Sequence, residues 1–457
     1  MPSILRNTVA LIASYFFYAW GAPDVILILI VSTIIDYFVS KQINHAQLGS
    51  LLRKVWLGMG VIFNLGFLLY YKYANFLFEQ INFVRSWSGL EAFEWDLIIL
   101  PIGVSFFTFQ KISYLVDVYR AKVPPAKGVL NYALYVTLFP QLIAGPIIRY
   151  HDVAQQIETR LHSLHSFYYG SYRFCLGFAK KVLIADMLGV VADNIFGLSN
   201  EILTLPYAWL GIICYAFQIY FDFAGYSDMA IGLGRMIGFK FLENFNRPYI
   251  AQTFTEFWRR WHISLSNWMK EYLYFPLGGN RVSPIRMYLN LWIVFLLSGL
   301  WHGASWSFLV WGAYHGLFLV LDKLCWIKIS KRIPQYINVG LTFLLVLIGW
   351  VFFRAETLAQ ALDYLYVMFD LRSINQQILI YPADIIHNRA WIMLGVAILL
   401  SFAPLSNWYQ KLTQLLSEKF TKEVREVATG VFAFVCFLFA LCSLATAGYV
   451  PFLYFKF

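Results

Sequence analysis

Long apolar stretches, joined by short polar connections, run along most of the chain. Within each stretch the hydrophobic residues are continuous and lack the strict alternation of a half-buried β-strand, so the pattern favours helices. In lipid, a helix satisfies its own backbone hydrogen bonds. The pattern therefore predicts an all-α, polytopic membrane bundle of about 10–12 helices, several of them tilted or re-entrant, because about 20 apolar residues cross the hydrocarbon core. The apolar segments lie near residues 8–22, 25–40, 55–78, 97–118, 128–148, 205–221, 287–301, 304–321, 337–353, 391–404 and 428–448.

Composition agrees with a membrane protein surrounded by lipid. Hydrophobic residues make up 60% of the 457 residues and charged residues only 13%, against about 25% charged in a typical globular domain. The polar connections are too short for a soluble domain, so a single membrane domain is expected over residues 1–457. The net charge of +10 is typical of basic cytoplasmic loops, and no lysine-rich run suggests nucleic acid. The five cysteines lack the paired spacing of a metal site, so no metal is expected.

The last hydrophobic segment predicts a topology for the end of the chain. Basic residues crowd the flank that precedes the apolar run at 428–447, namely Lys411, Lys419, Lys422 and Arg425. By the positive-inside rule this flank is cytoplasmic. A run of about 20 residues crosses the bilayer once, so residues 449–457 are predicted to form an extracytoplasmic tail.

One histidine lies deep inside an apolar run. No charged residue occurs from Tyr288 to Leu321, and His302 stands within this run in the sequence Ser298-Gly-Leu-Trp-His-Gly-Ala304. An ionisable side chain at membrane depth is costly to desolvate, so it usually faces a polar cavity and has a function. An imidazole also exchanges a proton near neutral pH. His302 is therefore the first catalytic candidate, and a structural histidine that joins two helices is the alternative.

A second polar cluster follows a stretch rich in tryptophan and arginine. His262 is followed closely by Ser264 and Asn267. The tryptophan–arginine mixture before it is typical of an anchor at the membrane interface. The polar side chains fit two interpretations equally well: they form hydrogen bonds that join two helices, or they line one wall of a reaction chamber.

Two aspartates occur in an apolar context that glycine interrupts. Asp222 and Asp228 are six positions apart, a spacing that does not place both on one helical face. A carboxylate in such surroundings most often pairs with an arginine, although two carboxylates could also line a site. Proline and glycine inside the apolar runs at 100–110 and 139–149 are tolerated in membranes where protein or a cavity satisfies the backbone. These breaks favour a tunnel.

Familiar catalytic motifs are absent from the sequence. It contains no G-x-S-x-G elbow, no P-loop and no cysteine-based zinc signature. The chemistry that remains is histidine-assisted attack by a hydroxyl on an activated acyl group, in which the histidine takes the hydroxyl proton and then protonates the leaving thiolate. A transporter or flippase would also contain broken helices and a tunnel. The absence of an internal repeat counts against that alternative.

Several motifs together resemble the membrane-bound O-acyltransferases, in the bacterial branch of alginate and peptidoglycan O-acetyltransferases and teichoic acid D-alanyl transfer proteins. The motifs are Trp301-His302-Gly303, Phe257-Trp-Arg-Arg-Trp-His-Ile-Ser-Leu-Ser266, Tyr220-Phe-Asp-Phe-Ala-Gly-Tyr-Ser-Asp228, Leu100-Pro-Ile-Gly-Val-Ser105 and Trp350-Val-Phe-Phe-Arg-Ala355. The resemblance implies a helical bundle around a tunnel, with His302 as the principal catalytic residue and His262 as a second recurrent histidine. The residues expected to support the tunnel are Trp301, Asp222, Asp228, Ser264 and Asn267.

The resemblance also implies a reaction and a location. An acetyl group would pass from cytosolic acetyl-CoA, the donor substrate, towards a cell-surface or secreted polysaccharide, across the cytoplasmic (inner) membrane of a bacterium and without a bound cofactor. D-alanyl transfer to teichoic acid, from a carrier-protein thioester, is the alternative with the same chemistry. Such proteins commonly begin with a further hydrophobic helix and a short basic link before a segment like residues 6–20, whereas this sequence starts almost at that link.

The end of the chain carries a second resemblance. The sequence Pro451-Phe-Leu-Tyr-Phe-Lys-Phe457 matches the aromatic acyl-transfer motif F-x-Y-x-x-F at Phe452, Tyr454 and Phe457. The resemblance implies that Tyr454 accepts the acyl group and that the two phenylalanines anchor the tail. It also implies a partner outside the membrane, a serine-type (SGNH-like) acetyltransferase that receives the acyl group. A plain aromatic anchor at the membrane interface is the alternative.

Overall fold

The computed structural model describes residues 3–143, 145–199, 201–372, 385–447 and 450–453. Within these ranges the protein is built of helices and contains no β-strand. The prediction of an all-α, polytopic membrane protein is confirmed, because eight helical segments are long and apolar enough to cross a membrane. They are Pro23–His45, Leu51–Trp87, Leu205–Met236, Pro284–His302, Trp306–Ser330, Gln335–Arg354, Asn388–Leu405 and Lys422–Thr446.

The first of two compact units comprises Met1–Phe167 and Leu233–Leu242. A buried ion pair joins two of its helices, because Nζ of Lys111 lies 3.7 Å from Oδ2 of Asp36 and both side chains are fully buried. Lipid cannot hydrate such charges, so they pair with each other inside the protein. The helices of this unit are α1 (Ser3–Gly21), α2 (Ile26–His45), α3 (Leu51–Leu68), α4 (Ala74–Trp87), α5 (Val104–Tyr119), α6 (Val129–Thr137), α7 (Phe139–Leu142) and α8 (Tyr150–Glu158).

The second unit comprises Tyr168–Gly232 and Glu243–Phe457, and it contains both candidate histidines. Its helices are α9 (Leu164–Ala179), α10 (Asp186–Phe196), α11 (Leu205–Met236), α12 (Phe254–Arg260), α13 (Ile263–Met269), α14 (Pro284–His302), α15 (Trp306–Leu321), α16 (Ile327–Ser330), α17 (Gln335–Arg354), α18 (Leu358–Phe369), α19 (Asn388–Phe402), α20 (Asn407–Lys419) and α21 (Lys422–Ala447). A π-helical stretch, Lys180–Ala185, joins α9 to α10. Residues 164–196 are therefore helical throughout.

Two predicted apolar segments are interrupted in the structure. In the segment at 97–118 the helix begins only at Val104, after Pro101 and after Gly103 with its positive φ of 78°. The segment at 128–148 yields the two short helices α6 and α7. Pro140 lies in the first turn of α7, where a proline is tolerated, whereas inside a helix it would remove a backbone hydrogen bond.

Helices α14 and α15 pack closely enough to fix the position of His302. A Cβ atom on Gly299 would collide with the carbonyl oxygen of Phe308, and one on Gly312 would collide with that of Phe295. Only glycine permits such an approach of two helix backbones. The hydroxyl of Ser305 then caps α15 by accepting the N–H of Phe308. The break at residues 303–305 between these helices therefore presents His302 at the end of α14.

Candidate active site

His302 is the last residue of α14, and it lines a small internal cavity. The residue is 4% exposed. The cavity has a volume of about 20 Å³, little more than the roughly 10–15 Å³ that one water molecule needs. Its lining consists of Ile219, Asp222, Phe223, Trp261, His302, Trp311, Trp350, Phe353, Phe452 and Leu453.

Aromatic rings hold the imidazole of His302 in place. The ring centroids of Trp311 and Phe353 lie 5.0 and 5.1 Å from that of His302, and both rings meet it edge to face. The ring of Trp301 lies 5.0 Å from His302 and 6.2 Å from His262, so this tryptophan is a neighbour of both histidines. Such packing restricts the imidazole to one orientation and keeps bulk water away from it.

His262 has an unusual backbone conformation at the start of α13. Its φ and ψ are 43° and 54°, in the left-handed region. This conformation costs free energy for a residue other than glycine and is concentrated at functional sites. The His262 ring is fully buried and meets the ring of Phe223, which also lines the cavity, edge to face at 4.7 Å.

The tautomer of His262 follows from its contact with Asn244. The backbone N–H of Ser264 donates to Oδ1 of Asn244 over 3.2 Å, and an amide nitrogen could not accept that bond, so the orientation of the Asn244 amide is settled. Nδ1 of His262 lies 3.2 Å from the same oxygen and must carry the proton. Nε2 is then the basic nitrogen, and it is buried without a hydrogen-bond partner among the described residues.

Burial lowers the pKa of His262 to about 3. His262 lies outside the eight apolar segments, and in the part of the chain that the structure describes no carboxylate offsets the cost of charging its ring. The imidazole is therefore neutral near pH 7. A neutral ring that bonds to Asn244, which Ser264 holds in turn, is better suited to orient a neighbouring group than to store a proton.

Asp222 lies at the point where the end of the chain meets the cavity. Its Oδ1 atom lies 2.7 Å from Nζ of Lys181, and its Oδ2 atom accepts the backbone N–H of Leu453 over 2.9 Å. Nζ of Lys181 also donates to the carbonyl oxygen of Pro451 over 3.4 Å. Residues 451–453 are thus held beside the cavity that His302 lines.

Asp228 belongs to a different and more polar cavity. It forms ion pairs of 2.6 Å with Arg173 and with Lys180, so the pairing with an arginine is found here, whereas Asp222 pairs with a lysine. The second cavity has a volume of about 420 Å³. Asn244 also lines it and therefore connects this cavity to His262.

The structure brings together some of the predicted residues and separates others. His302, Asp222 and Phe452 line one cavity. Trp301 contacts the rings of both His302 and His262, and Ser264 bonds to Asn244, the partner of His262. Asp228 lines the second cavity instead. Asn267 lies half-buried in α13 and lines neither cavity. Tyr454 and Phe457 lie outside the described residues.

Trp311, Lys181 and Asn244 contact the site but were not predicted from the sequence. Trp311 lies on α15 in the same charge-free run as His302. Lys181 interrupts the apolar face of its helix, which was a signal for a buried partner. No local pattern distinguishes Asn244, because its role depends on contacts with distant turns. Among the described residues no group of three or more histidine, cysteine, aspartate or glutamate side chains could hold a metal ion.

A helical membrane bundle with a histidine held at an internal cavity has the architecture of a membrane-embedded enzyme. Residues 38–355 match the membrane-bound O-acyltransferase family, MBOAT. The chain belongs to this family and is an O-acyltransferase. The matched range contains both His262 and His302.

Relatives of known name agree with this membership. The chain is 47% identical to the probable alginate O-acetylase of Pseudomonas aeruginosa, over 80% of this chain and 70% of the relative. It is 40% identical to the probable alginate O-acetylase of Pseudomonas putida, over 99% of this chain and 94% of the relative. It is 38% identical to the peptidoglycan O-acetyltransferase of Helicobacter pylori, over 80% and 74%.

Proposed function

We propose that this protein moves an acetyl group from cytosolic acetyl-CoA to Tyr454, from which it passes to a cell-surface or secreted polysaccharide. One observation carries the proposal: Phe452 and Leu453 line the same cavity as His302. Tyr454 follows Leu453 directly in the sequence. The proposed acyl acceptor therefore follows directly on two residues that line the cavity of the candidate base.

The chemistry requires one general acid–base group. His302 takes the proton of the Tyr454 hydroxyl while the phenolic oxygen attacks the thioester carbonyl, and a C–O bond replaces the C–S bond. The protonated imidazole then returns its proton to the leaving thiolate, which gives free CoA and an acetyl-tyrosine ester. His262, with its fixed tautomer, assists by positioning. The aromatic rings around His302 exclude water and so protect the acyl group from hydrolysis.

A tyrosyl ester is a suitable relay towards the polymer. A phenol has a pKa near 10, well below that of an alkyl alcohol, so phenolate leaves more readily than an alkoxide. A serine hydroxyl of an extracytoplasmic, SGNH-like transferase can attack the acetyl carbonyl and release the Tyr454 phenol, and a sugar hydroxyl can then accept the acetyl group. Transfer from the phenol ester to an alkyl hydroxyl is therefore favourable.

Relatives and sequence support the proposed acceptor and location. The relatives named above act, by their names, on alginate and on peptidoglycan, so a bacterial polysaccharide is the proposed acceptor. Basic residues before α21 favour a cytoplasmic location of that flank and support an extracytoplasmic tail at residues 449–457. The inner membrane of a bacterium fits a cytosolic donor and an external acceptor. Family membership favours this enzyme over the transporter that broken helices also allowed.

The test is mass spectrometry of the C-terminal peptide after the purified protein is incubated with acetyl-CoA. The peptide should gain one acetyl group on Tyr454 in the wild-type protein and none in His302→Ala. Tyr454→Phe should abolish labelling and polymer acetylation, whereas the matched variant Lys456→Arg, which removes the other nucleophile of the tail, should retain both. A fully active Tyr454→Phe variant would overturn the proposal. Labelling only from a D-alanyl carrier-protein thioester would favour D-alanyl transfer instead.

A further inference from the structure

Two polar side chains hold the backbone of the tail on either side of Phe452. Asp222 accepts the N–H of Leu453 over 2.9 Å, and Lys181 donates to the carbonyl oxygen of Pro451 over 3.4 Å. Both contacts involve main-chain atoms. They therefore depend on the course of the backbone and tolerate different side chains at 451 and 453.

Asp222 and Lys181 also form an ion pair with each other. Their side chains are 2% and 12% exposed, and the ion pair between them measures 2.7 Å. Lys181 forms a second ion pair of 2.6 Å with Asp186. Lys181 lies in the π-helical stretch Lys180–Ala185, and such π-bulges in helices occur frequently at functional sites.

The side chain of Phe452 connects the held backbone to the histidines. Phe452 is 4% exposed, and its ring stacks on that of Tyr226 with centroids 4.7 Å apart. It also lies 5.9 Å from the ring of Phe223, which in turn meets the ring of His262 at 4.7 Å. These ring contacts therefore favour an aromatic residue at position 452, whereas the backbone contacts set the register of residues 451–453.

We propose that Asp222 and Lys181 form the docking site for the tail and act as positioning residues. They fix the register of residues 451–453 so that the acyl-accepting residue that follows reaches the His302 cavity. The inference rests on the proposed function of Tyr454. It assigns to the buried aspartate a role distinct from supporting the tunnel, and it predicts that removing the Asp222 carboxylate releases the tail.

The chain provides a matched control for this role. Asp186 is the same residue type as Asp222 and pairs with the same lysine, but neither its ion pair nor its hydrogen bond involves the tail. If Asp222 acts only by neutralising Lys181, then Asp222→Asn and Asp186→Asn should have similar effects. If Asp222 docks the tail, only Asp222→Asn should affect it.

The experiment measures docking and chemistry separately in the purified full-length protein. Carboxypeptidase release of the C-terminal residues reports whether the tail is protected, without any acyl transfer. Mass spectrometry of the tail after incubation with acetyl-CoA reports the chemistry. In Asp222→Asn we expect release to accelerate and the labelling rate to fall, each by about tenfold, because a hydrogen bond to a charged group is replaced by a weaker one. In Asp186→Asn, Lys181 stays paired with Asp222 and is not left as an uncompensated buried charge, so both measures should stay within about twofold of wild type.

A change on the tail side excludes misfolding as the explanation. Phe452→Ala leaves α11 and the Lys181 ion pairs intact, and it should also accelerate carboxypeptidase release. Unchanged release in both Asp222→Asn and Phe452→Ala would overturn the inference, and so would equal effects of Asp222→Asn and Asp186→Asn. If the wild-type tail is never acetylated while its protection still depends on Asp222, then the proposed role of Tyr454 fails and the docking site stands.

Discussion

The backbone N–H of Leu453 and the Oδ2 atom of Asp222 lie 2.9 Å apart, although 231 positions separate the two residues in the chain. This hydrogen bond brings the end of the chain to the middle of α11, beside the cavity that His302 lines. The cavity holds only about 20 Å³, so an acetyl group can enter only if a lining residue moves.

The first prediction concerns His302. His302→Ala should lower acetyl-CoA turnover by about 10² to 10⁴, the usual contribution of a general acid–base group, without a large fall in thermal stability. Turnover and melting temperature of the purified protein in detergent measure the two effects.

His315 provides the matched control for His302. It is a second buried histidine, and its Nδ1 atom accepts the indole N–H of Trp258 over 3.3 Å, but it does not line the cavity. His315→Gln keeps an acceptor for that bond, so turnover should remain within about threefold of wild type. Wild-type turnover in His302→Ala would make His302 a structural residue.

A feature of this site could be predicted from the sequence where it depends on neighbouring residues, and could not where it depends on residues far apart in the chain. His302 was recognisable because an ionisable residue inside a long apolar run is informative by itself. The helices were equally recognisable, and α14 and α15 appear close to where the apolar runs at 287–301 and 304–321 predicted them.

The rest depends on contacts between distant parts of the chain. Nothing near Asp222 indicates that its partners are Lys181 and the backbone of Leu453, because hydrogen bonds to main-chain atoms leave no pattern in the sequence. The same holds for Asn244, whose partner His262 lies 18 positions further along the chain. The interruption of the segment at 97–118 was visible as Pro101 and Gly103, but the exact start of the helix depended on local backbone geometry.

The second prediction concerns Asn244 as a positioning residue for His262. Asn244→Asp keeps an acceptor for Nδ1 of His262 and for Ser264 but places a negative charge beside the imidazole. A nearby carboxylate favours the imidazolium, so the pKa of His262 should rise, and the pH profile of turnover should gain an ionisation between pH 5 and 8.

The control for Asn244 is the residue to which its amide donates. Asn244 Nδ2 donates to the hydroxyl of Ser227 over 3.1 Å. Ser227→Ala removes that acceptor and leaves the charge around His262 unchanged, so its pH profile should match that of wild type. An unchanged profile in Asn244→Asp would show that His262 does not influence turnover.

The third prediction is a dependence of stability on pH. In the folded protein burial depresses the pKa of His262 from 6.5 to about 3. Between these two values the unfolded chain binds a proton that the folded protein does not, so stability falls as pH decreases from 6.5 towards 3. At pH 5 this single group should cost about 2 kcal/mol relative to pH 7.

Thermal unfolding in detergent at pH 7 and pH 5 measures that cost. His262→Gln removes the titrating group and keeps a donor for Asn244, so the difference between the two pH values should shrink by about 2 kcal/mol in the variant. An identical pH dependence in wild type and His262→Gln would show that the ring is accessible to protons in the folded state.

The fourth prediction tests the close packing that presents His302. In Gly299→Ala the new Cβ atom meets the carbonyl oxygen of Phe308 on α15, and two helix backbones cannot yield as a flexible side chain can. We expect a loss of about 1–3 kcal/mol of stability, together with lower turnover because the end of α14 shifts.

Gly340 of α17 provides the control, since a Cβ there meets no atom within 4 Å, and Gly340→Ala should be neutral or stabilising by up to about 1 kcal/mol. Melting temperature and turnover of both variants decide the matter: if Gly299→Ala matches Gly340→Ala on both measures, the contact between α14 and α15 does not set the position of His302.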